Sequence, residues 1–377
     1  MFSYFPYTFV IVFFLSILGY AWWRFRFVFK RKYRYPGALL FVLCFAVNFF
    51  QRAVSNDVIA GILQAIGSFS TVFLANWVFF CIFWDLYLGI RRISGKKKNA
   101  NKRLRMRRQP SLASAVALLT VAFFLVGAPS QSRFKVTTIN EKLATAPQKT
   151  LRIALFSDIH FDNLFQKDKL ERLLDSLRVL QPDAIFFGGD LSDIPVYKLQ
   201  KKGFDSLFKQ ISAPLGFFAV VGNHEGFSIS KNKQSSVEWL KNLGNAVLLM
   251  DSTICNEYFC LTGRIDHSCA KKLHRNRTPL NELMPENSSV PWFLLDHQPR
   301  GLDKQDTGLS RLPDFAMSGH THAGQFFPAT IVIRFLWSLV YGLGNLDGIP
   351  WFVTSGIGQW MPIRTFTRNE LVLFVFE

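Results

Sequence analysis

Acidic side chains are nearly missing from the first third of this 377-residue chain. Before residue 129 there are only two, Asp57 and Asp85, against 17 Lys and Arg. The remainder holds 27 basic and 24 acidic residues, so the formal net charge of +18 belongs almost wholly to the first third. Charge is also scarce inside the apolar runs of that third. Asp85, near the inner end of its run, is the one notable case, which argues against a transporter built from these segments. No basic residue precedes the first apolar run and a basic cluster follows it, the mark of a retained anchor rather than a cleaved signal. Cysteine is scarce too, five in all. None adjoins a histidine motif, so a thiolate zinc site is not indicated. Cys44 and Cys81 lie in apolar runs as small hydrophobes. Cys255 and Cys260 are spaced to bridge a hairpin if the compartment is oxidising, with Cys269 left over.

What the first third does contain is hydrocarbon. Apolar runs at about 4–23, 36–50, 62–90 and 112–126 predict a helical transmembrane region of about four spans, although the second and fourth fall short of the ~20 residues a span usually needs. The basic residues cluster at 24–34 and 91–108, the loops flanking these runs. Positive loops stay in the cytoplasm. The N-terminus, the short loop near Arg52 and everything after 126 are then expected outside. A basic chain could also bind nucleic acid, but charges that flank apolar runs point to the lipid bilayer as partner and to no nucleic acid. The expected organisation is a membrane region over 1–128, a polar linker over 129–150 and a catalytic domain over 151–377.

From residue 151 the pattern changes. Short apolar runs at 151–157, 184–187 and 216–221 read as strands, and Leu170, Leu173, Leu174 and Leu177 have helical spacing within 167–180. Residues 197–211 read as a further helix. Strands alternating with helices predict a layered α/β domain with an open sheet. Ligands of such sheets gather beyond the carboxyl ends of the strands. There the chain places Asp158-Ile159-His160, Gly188-Gly189-Asp190, Gly222-Asn223-His224-Glu225, Asp296-His297 and Gly319-His320-Thr321-His322. Imidazole nitrogens mixed with carboxylate and amide oxygens suit borderline divalent metals. A carboxylate such as Asp190 can face two cations held about 3.5–4 Å apart. Two divalent ions, less Asp158, Asp190 and a hydroxide, leave about +1, which favours an anionic phosphate ester. Taken singly, each motif is also an ordinary strand-end polar residue or turn former. Glu225 reads as a supporting or surface acid, and His267 and His274 have no partner pattern.

These motifs resemble those of the calcineurin-like metallophosphoesterase superfamily over about 151–377. The run Gly319-His320-Thr321-His322-Ala323-Gly324-Gln325 is most similar to a membrane-anchored bacterial branch. The resemblance implies a four-layer α/β/β/α sandwich and two divalent metal ions drawn from manganese, iron, zinc or magnesium. Asp158, His160 and His322 would hold one ion, Asn223, His297 and His320 the other, and Asp190 would bridge them. His224 matches the family's catalytic histidine, and Gly356, Gly358 and Arg364 resemble a C-terminal Gly-x-Gly and Arg, with Arg364 a candidate for the substrate phosphate or for a structural ion pair.

The activity implied is hydrolysis of a phosphate ester or pyrophosphate by a metal-activated water, with His224 as acid, in a bacterial inner membrane. Relatives include enzymes that split UDP-2,3-diacylglucosamine in lipid A synthesis, whose substrate is cytoplasmic. An external site fits a lipid-linked phosphate better. The apolar run 326–341 is either a buried helix or an exposed segment resting on lipid. A non-catalytic binding module is the competing class; it would be expected to lack a ligand residue.

Overall fold

The computed structural model describes residues 7–25, 28, 33–50, 54, 56–94, 98–127, 133–165, 167–227 and 235–377. The loop at Arg52, most of the basic turn 26–32 and the junction 128–132 lie outside the described residues. The chain divides into two compact units, one of residues 1–128 with 326–329, the other of 129–325 with 330–377.

In the first unit, α1 (Tyr7–Phe25), α2 (Arg34–Phe50), α3 (Asp57–Ile93) and α4 (Lys98–Gly127) each contain most of one apolar run. Among the described residues, two stretches are long and apolar enough to cross a membrane, Asp57–Ile93 and Pro110–Gly127. At 1.5 Å per residue α3 is about 55 Å long, well beyond the hydrocarbon thickness. Its start is capped by the Asn56 side chain, which accepts from the amides of Val58 and Ile59. Ala21, Trp77, Cys81 and Val116 form the interior, and the Trp77 indole donates to the Ala21 carbonyl at 3.1 Å. The exceptional charges pair with each other. Asp85 meets Arg24 at 3.2 Å and accepts from the Tyr20 hydroxyl at 2.7 Å. The run 326–329 joins this unit through Phe327, whose ring lies 4.9 Å from that of Phe79.

The second unit is built on two six-stranded sheets. Its strands are β1 (Lys135–Glu141), β2 (Leu151–Phe156), β3 (Ala184–Phe187), β4 (Phe217–Ala219), β5 (Val247–Leu248), β6 (Ser252–Cys255), β7 (Cys260–Gly263), β8 (Trp292–Leu295), β9 (Phe315–Ser318), β10 (Gly342–Leu346), β11 (Ile349–Val353) and β12 (Glu370–Phe376). One sheet runs β1-β12-β2-β3-β4-β5 and the other β10-β11-β9-β8-β7-β6. In the first, β2 to β5 are parallel; in the second, β7, β8, β9 and β11 are parallel and the two edge strands antiparallel.

Strands buried on both faces read as continuous apolar runs, and β3 (Ala-Ile-Phe-Phe) does so because its alternate residues enter two cores. Ile185 and Phe187 join Leu170, Leu173, Leu174 and Leu177 of α5 (Lys167–Leu180). Phe186 joins Phe293, Phe315 and Phe374 in a core shared by the two sheets.

Two expectations are corrected. The stretch 129–150 is not simply a linker: Lys135–Glu141 pairs in parallel with β12, and Leu143 enters the shared core. Edge position explains why the strand reads as polar, since its residues are exposed or half-buried in alternation. The helix expected over 197–211 is two, α6 (Val196–Lys201) and α7 (Phe204–Phe208), broken at Gly203 with φ of 71°. Of the two alternatives open for 326–341, the exposed one is favoured over 329–335: two short helices, Ala329–Val332 and Ile333–Phe335, stand there with no buried residues. Cys255 and Cys260, paired across β6 and β7, form a disulfide.

Candidate metal centre

Parallel strands deliver the motif residues to one place. Asp158 follows β2, Asp190 follows β3, Asn223 and His224 follow β4, His297 follows β8, and His320 and His322 follow β9. Both sheets contribute, each from the carboxyl ends of its strands. Close approach is required there. A Cβ on Gly222 would fall 2.2 Å from an Asp190 carboxylate oxygen, and one on Gly319 would fall 2.2 Å from Asp158 Oδ2. The backbone is also strained. Asp158, His160, Asp190, His320 and His322 have φ between 48° and 70°, a region that costs a non-glycine residue about 1–3 kcal/mol and tends to mark functional sites.

Three sets of donor atoms lie within 4.8 Å of one another: Asp158, His160 and His322; His160, Asp190 and His224; Asp190, His297 and His320. In the first, His160 Nε2 is 3.0 Å from His322 Nε2, and His322 Nε2 is 3.4 Å from Asp158 Oδ1. In the third, His297 Nε2 is 3.2 Å from Asp190 Oδ2. Asn223 Oδ1 closes this set, 2.7 Å from His320 Nδ1 and 3.0 Å from His297 Nε2. Asp190 Oδ2 is also 3.7 Å from His160 Nε2, so this carboxylate stands between the two groups.

The chemistry of the donors suits divalent cations. Burial lifts Asp158 above the ordinary carboxylate range, so its anionic form is poorly supported by the protein alone. Burial, then the neighbouring His297, pulls His320 down to about 3, and burial likewise lowers His322. Both are therefore neutral imidazoles, the form that binds metal. His297 Nδ1 faces the Gly188 carbonyl at 2.7 Å, which leaves Nε2 directed at Asp190. Burial opposes charge on His297 as well, but Asp190 raises it well above its usual value. Asp190 is lowered, with burial outweighed by His297 and then His224.

A supporting layer surrounds these atoms. Glu225 is buried, and its carboxylate accepts from the amides of Asp190 (3.0 Å), Leu191 (2.9 Å) and Gly222 (2.7 Å), pinning the loops after β3 and β4 together. The His320 amide donates to Asp158, and the His224 amide to Asp190. Asp296 is buried against Arg277 rather than exposed. Arg364 does not reach an open groove. It is buried behind His322, donating to the carbonyls of His322 (3.0 Å), Ser355 (2.6 Å) and Gly358 (2.9 Å), with a nitrogen 3.0 Å from His322 Nδ1.

His224 is part-exposed, with Nε2 3.9 Å from Asp190 Oδ2. Its Nδ1 is held by Asp193, a residue that the motifs do not single out. Asp193 also stands 3.3 Å from His160 Nδ1. Burial alone would lower His224, yet Asp193 and then Asp190 raise it to about 10. Its position three residues after Asp190 in Asp-Leu-Ser-Asp is the one sequence signal that could have found Asp193.

The same region of the chain resembles known proteins. Residues 151–324 match the family model described as calcineurin-like phosphoesterase. An uncharacterized metallophosphoesterase of Helicobacter pylori (strain ATCC 700392 / 26695) is 29% identical over 225 residues, 59% of each chain. One from Campylobacter jejuni is 27% identical over 310 residues, 78% of each chain. A Danio rerio protein named as a transmembrane protein with metallophosphoesterase domain is 28% identical over 285 residues, 72% of this chain and 63% of that one. The matched region thus spans well under two thirds of the Helicobacter relative's length. Five strand-end motifs converge on one cluster, and the match to the calcineurin-like phosphoesterase family, over residues 151–324, ends just after the last of them.

Proposed function

We propose that this chain is a membrane-anchored hydrolase that cleaves a phosphate ester or pyrophosphate bond with two divalent metal ions. The observation that carries the proposal is that Asp190 belongs to two donor groups, one with His160 and His224 and the other with His297 and His320. Asp158, His160 and His322 would hold one ion, Asn223, His297 and His320 the other, and Asp190 both. When bound, such a pair supplies an acidified water and a clamp on the ester oxygens. His224 gives its proton to the leaving oxygen, and Asp193 orients its ring through Nδ1. Arg364 acts through His322 as a positioning residue instead of meeting the substrate. The four-layer α/β/β/α arrangement belongs to this reading, supported by a core that draws side chains from both sheets.

The same proposal puts about four helices in a bacterial inner membrane and the catalytic unit at its outer face. Basic clusters at the helix ends support that orientation, as does the Cys255–Cys260 disulfide, a bond typical of oxidising compartments. An external site disfavours a cytoplasmic UDP-linked substrate. A lipid-linked one is supported by the exposed apolar side chains between Ile331 and Leu343.

The test is turnover of p-nitrophenyl phosphate and bis-p-nitrophenyl phosphate by the purified full chain, supplied in turn with manganese, iron, zinc and magnesium. Activity is expected, and His224→Ala should lower it by roughly two to four powers of ten while keeping bound metal. Unchanged turnover in that variant would remove His224 from the mechanism.

A further inference from the structure

The donor cluster is closed on most sides. Asp158, His160, Asp190, His297 and His322 are buried, while Asn223, His224 and His320 are part-exposed, so a substrate approaches across the latter three. Trp337 stands at that face, its ring centroid 5.0 Å from that of His320 and tilted by 66°. The Arg300 guanidinium also lies over this indole, 5.3 Å from its centroid. Its Nε donates to Gln298 Oε1 at 2.7 Å, which fixes the direction of the fork. Beyond Trp337 the surface turns apolar: Ile331, Val332 and Leu336 are exposed, and Phe335 is 82% exposed. Clustered apolar side chains at the mouth of a polar site usually mark a binding surface.

Charge and shape together suggest the occupant. A planar guanidinium matches phosphate geometry, and an indole flanked by aliphatic side chains offers a large apolar contact. We propose that Arg300 and Trp337 form the specificity element of the site, selecting an anionic ester that carries a long hydrocarbon chain. Arg300 takes a phosphate oxygen of the substrate, and Trp337 with Phe335 and Val332 carries the first carbons of the chain. The inference rests on the hydrolase reading above and names the substrate class for it.

The experiment compares p-nitrophenyl alkyl phosphates bearing ethyl, octyl or dodecyl chains, with the full protein in nanodiscs. The wild type should prefer dodecyl over ethyl in kcat/KM by at least about tenfold, the worth of burying one large apolar side chain. Trp337→Ala should collapse that ratio. Phe335→Ser, a change at an exposed position that leaves the core untouched, should shrink it. Arg300→Lys should raise KM for all three esters, because the charge remains but the stacked fork is lost. Equal losses at every chain length in Trp337→Ala would show that the indole merely holds His320, and would overturn the proposal. Calorimetric binding of dodecylphosphonate against ethylphosphonate reads the same preference without turnover. An inert wild type that still prefers the dodecyl compound defeats the hydrolase reading alone, whereas an active one with no chain preference defeats the specificity element.

Discussion

Replacing Asp193 by Asn is the change that best separates the role of His224 from that of the cluster beside it. The substitution keeps the size of the side chain and removes its charge. In the native site His224 is raised to about 10 although burial opposes it, and Asp193 is the foremost cause of the rise. The sign follows directly. A histidine raised in this way keeps its proton through neutral pH and loses it only as the pH climbs toward 10. Without the Asp193 charge the imidazole falls back toward its ordinary value of about 6.5. Near pH 8 only about one molecule in thirty would then carry the acid proton, so turnover should drop by roughly thirtyfold there, and by much less near pH 6. The descending alkaline limb of the kcat profile should shift to lower pH by more than one unit. Because Asp193 also faces His160 Nδ1 at 3.3 Å, metal affinity should weaken within the roughly 10–100-fold range typical of supporting contacts, so the assay is run at saturating metal. In a His224→Ala background the same substitution should have little further effect on kcat. A profile that superimposes on the wild type would refute this account of the acid.

Other consequences can be checked more briefly. Glu225→Ala strips the acceptor from three backbone amides, each worth about 1–3 kcal/mol when left unsatisfied, so the thermal midpoint should fall by many degrees; a shift of a degree or two would contradict the clasp. Arg364→Met should reduce affinity for metal more than it raises KM, measured by chelator competition, since the guanidinium touches His322 and not the groove; a pure KM effect would return it to the substrate. Reporter fusions after Arg34, Arg108 and Glu377 should report cytoplasm, cytoplasm and exterior in turn, and an internal C-terminus would revive a cytoplasmic lipid substrate.

Much of the site can be read from the chain because its chemistry is concentrated at strand ends. Each of Asp158, Asp190, Asn223, His297 and His320 follows a short apolar run, and a side chain two to four residues beyond a buried strand has few places to go. What supports the site is less legible. Asp193 looks like any loop acid until His224 and His160 are brought beside it. Glu225 earns its place only because three amides from two loops converge on it. Arg364 sits 42 residues from His322 in sequence, and nothing local says whether its fork faces a ligand or the backbone behind one. The β1 strand hides for another reason: an edge strand with alternating exposed and half-buried residues has too little apolar content to register. The segment 331–343 shows the limit of composition, since an apolar run is equally compatible with a core and with a surface that waits for a hydrophobic guest.

The central claim is that Asp190 stands between two cations. Elemental analysis of the purified full chain tests it most directly: about two divalent ions per chain are expected in the wild type, and a marked loss from both positions, with turnover abolished, in Asp190→Ala. A wild type that binds no metal, or an Asp190→Ala variant that retains two ions and full turnover, would contradict the account.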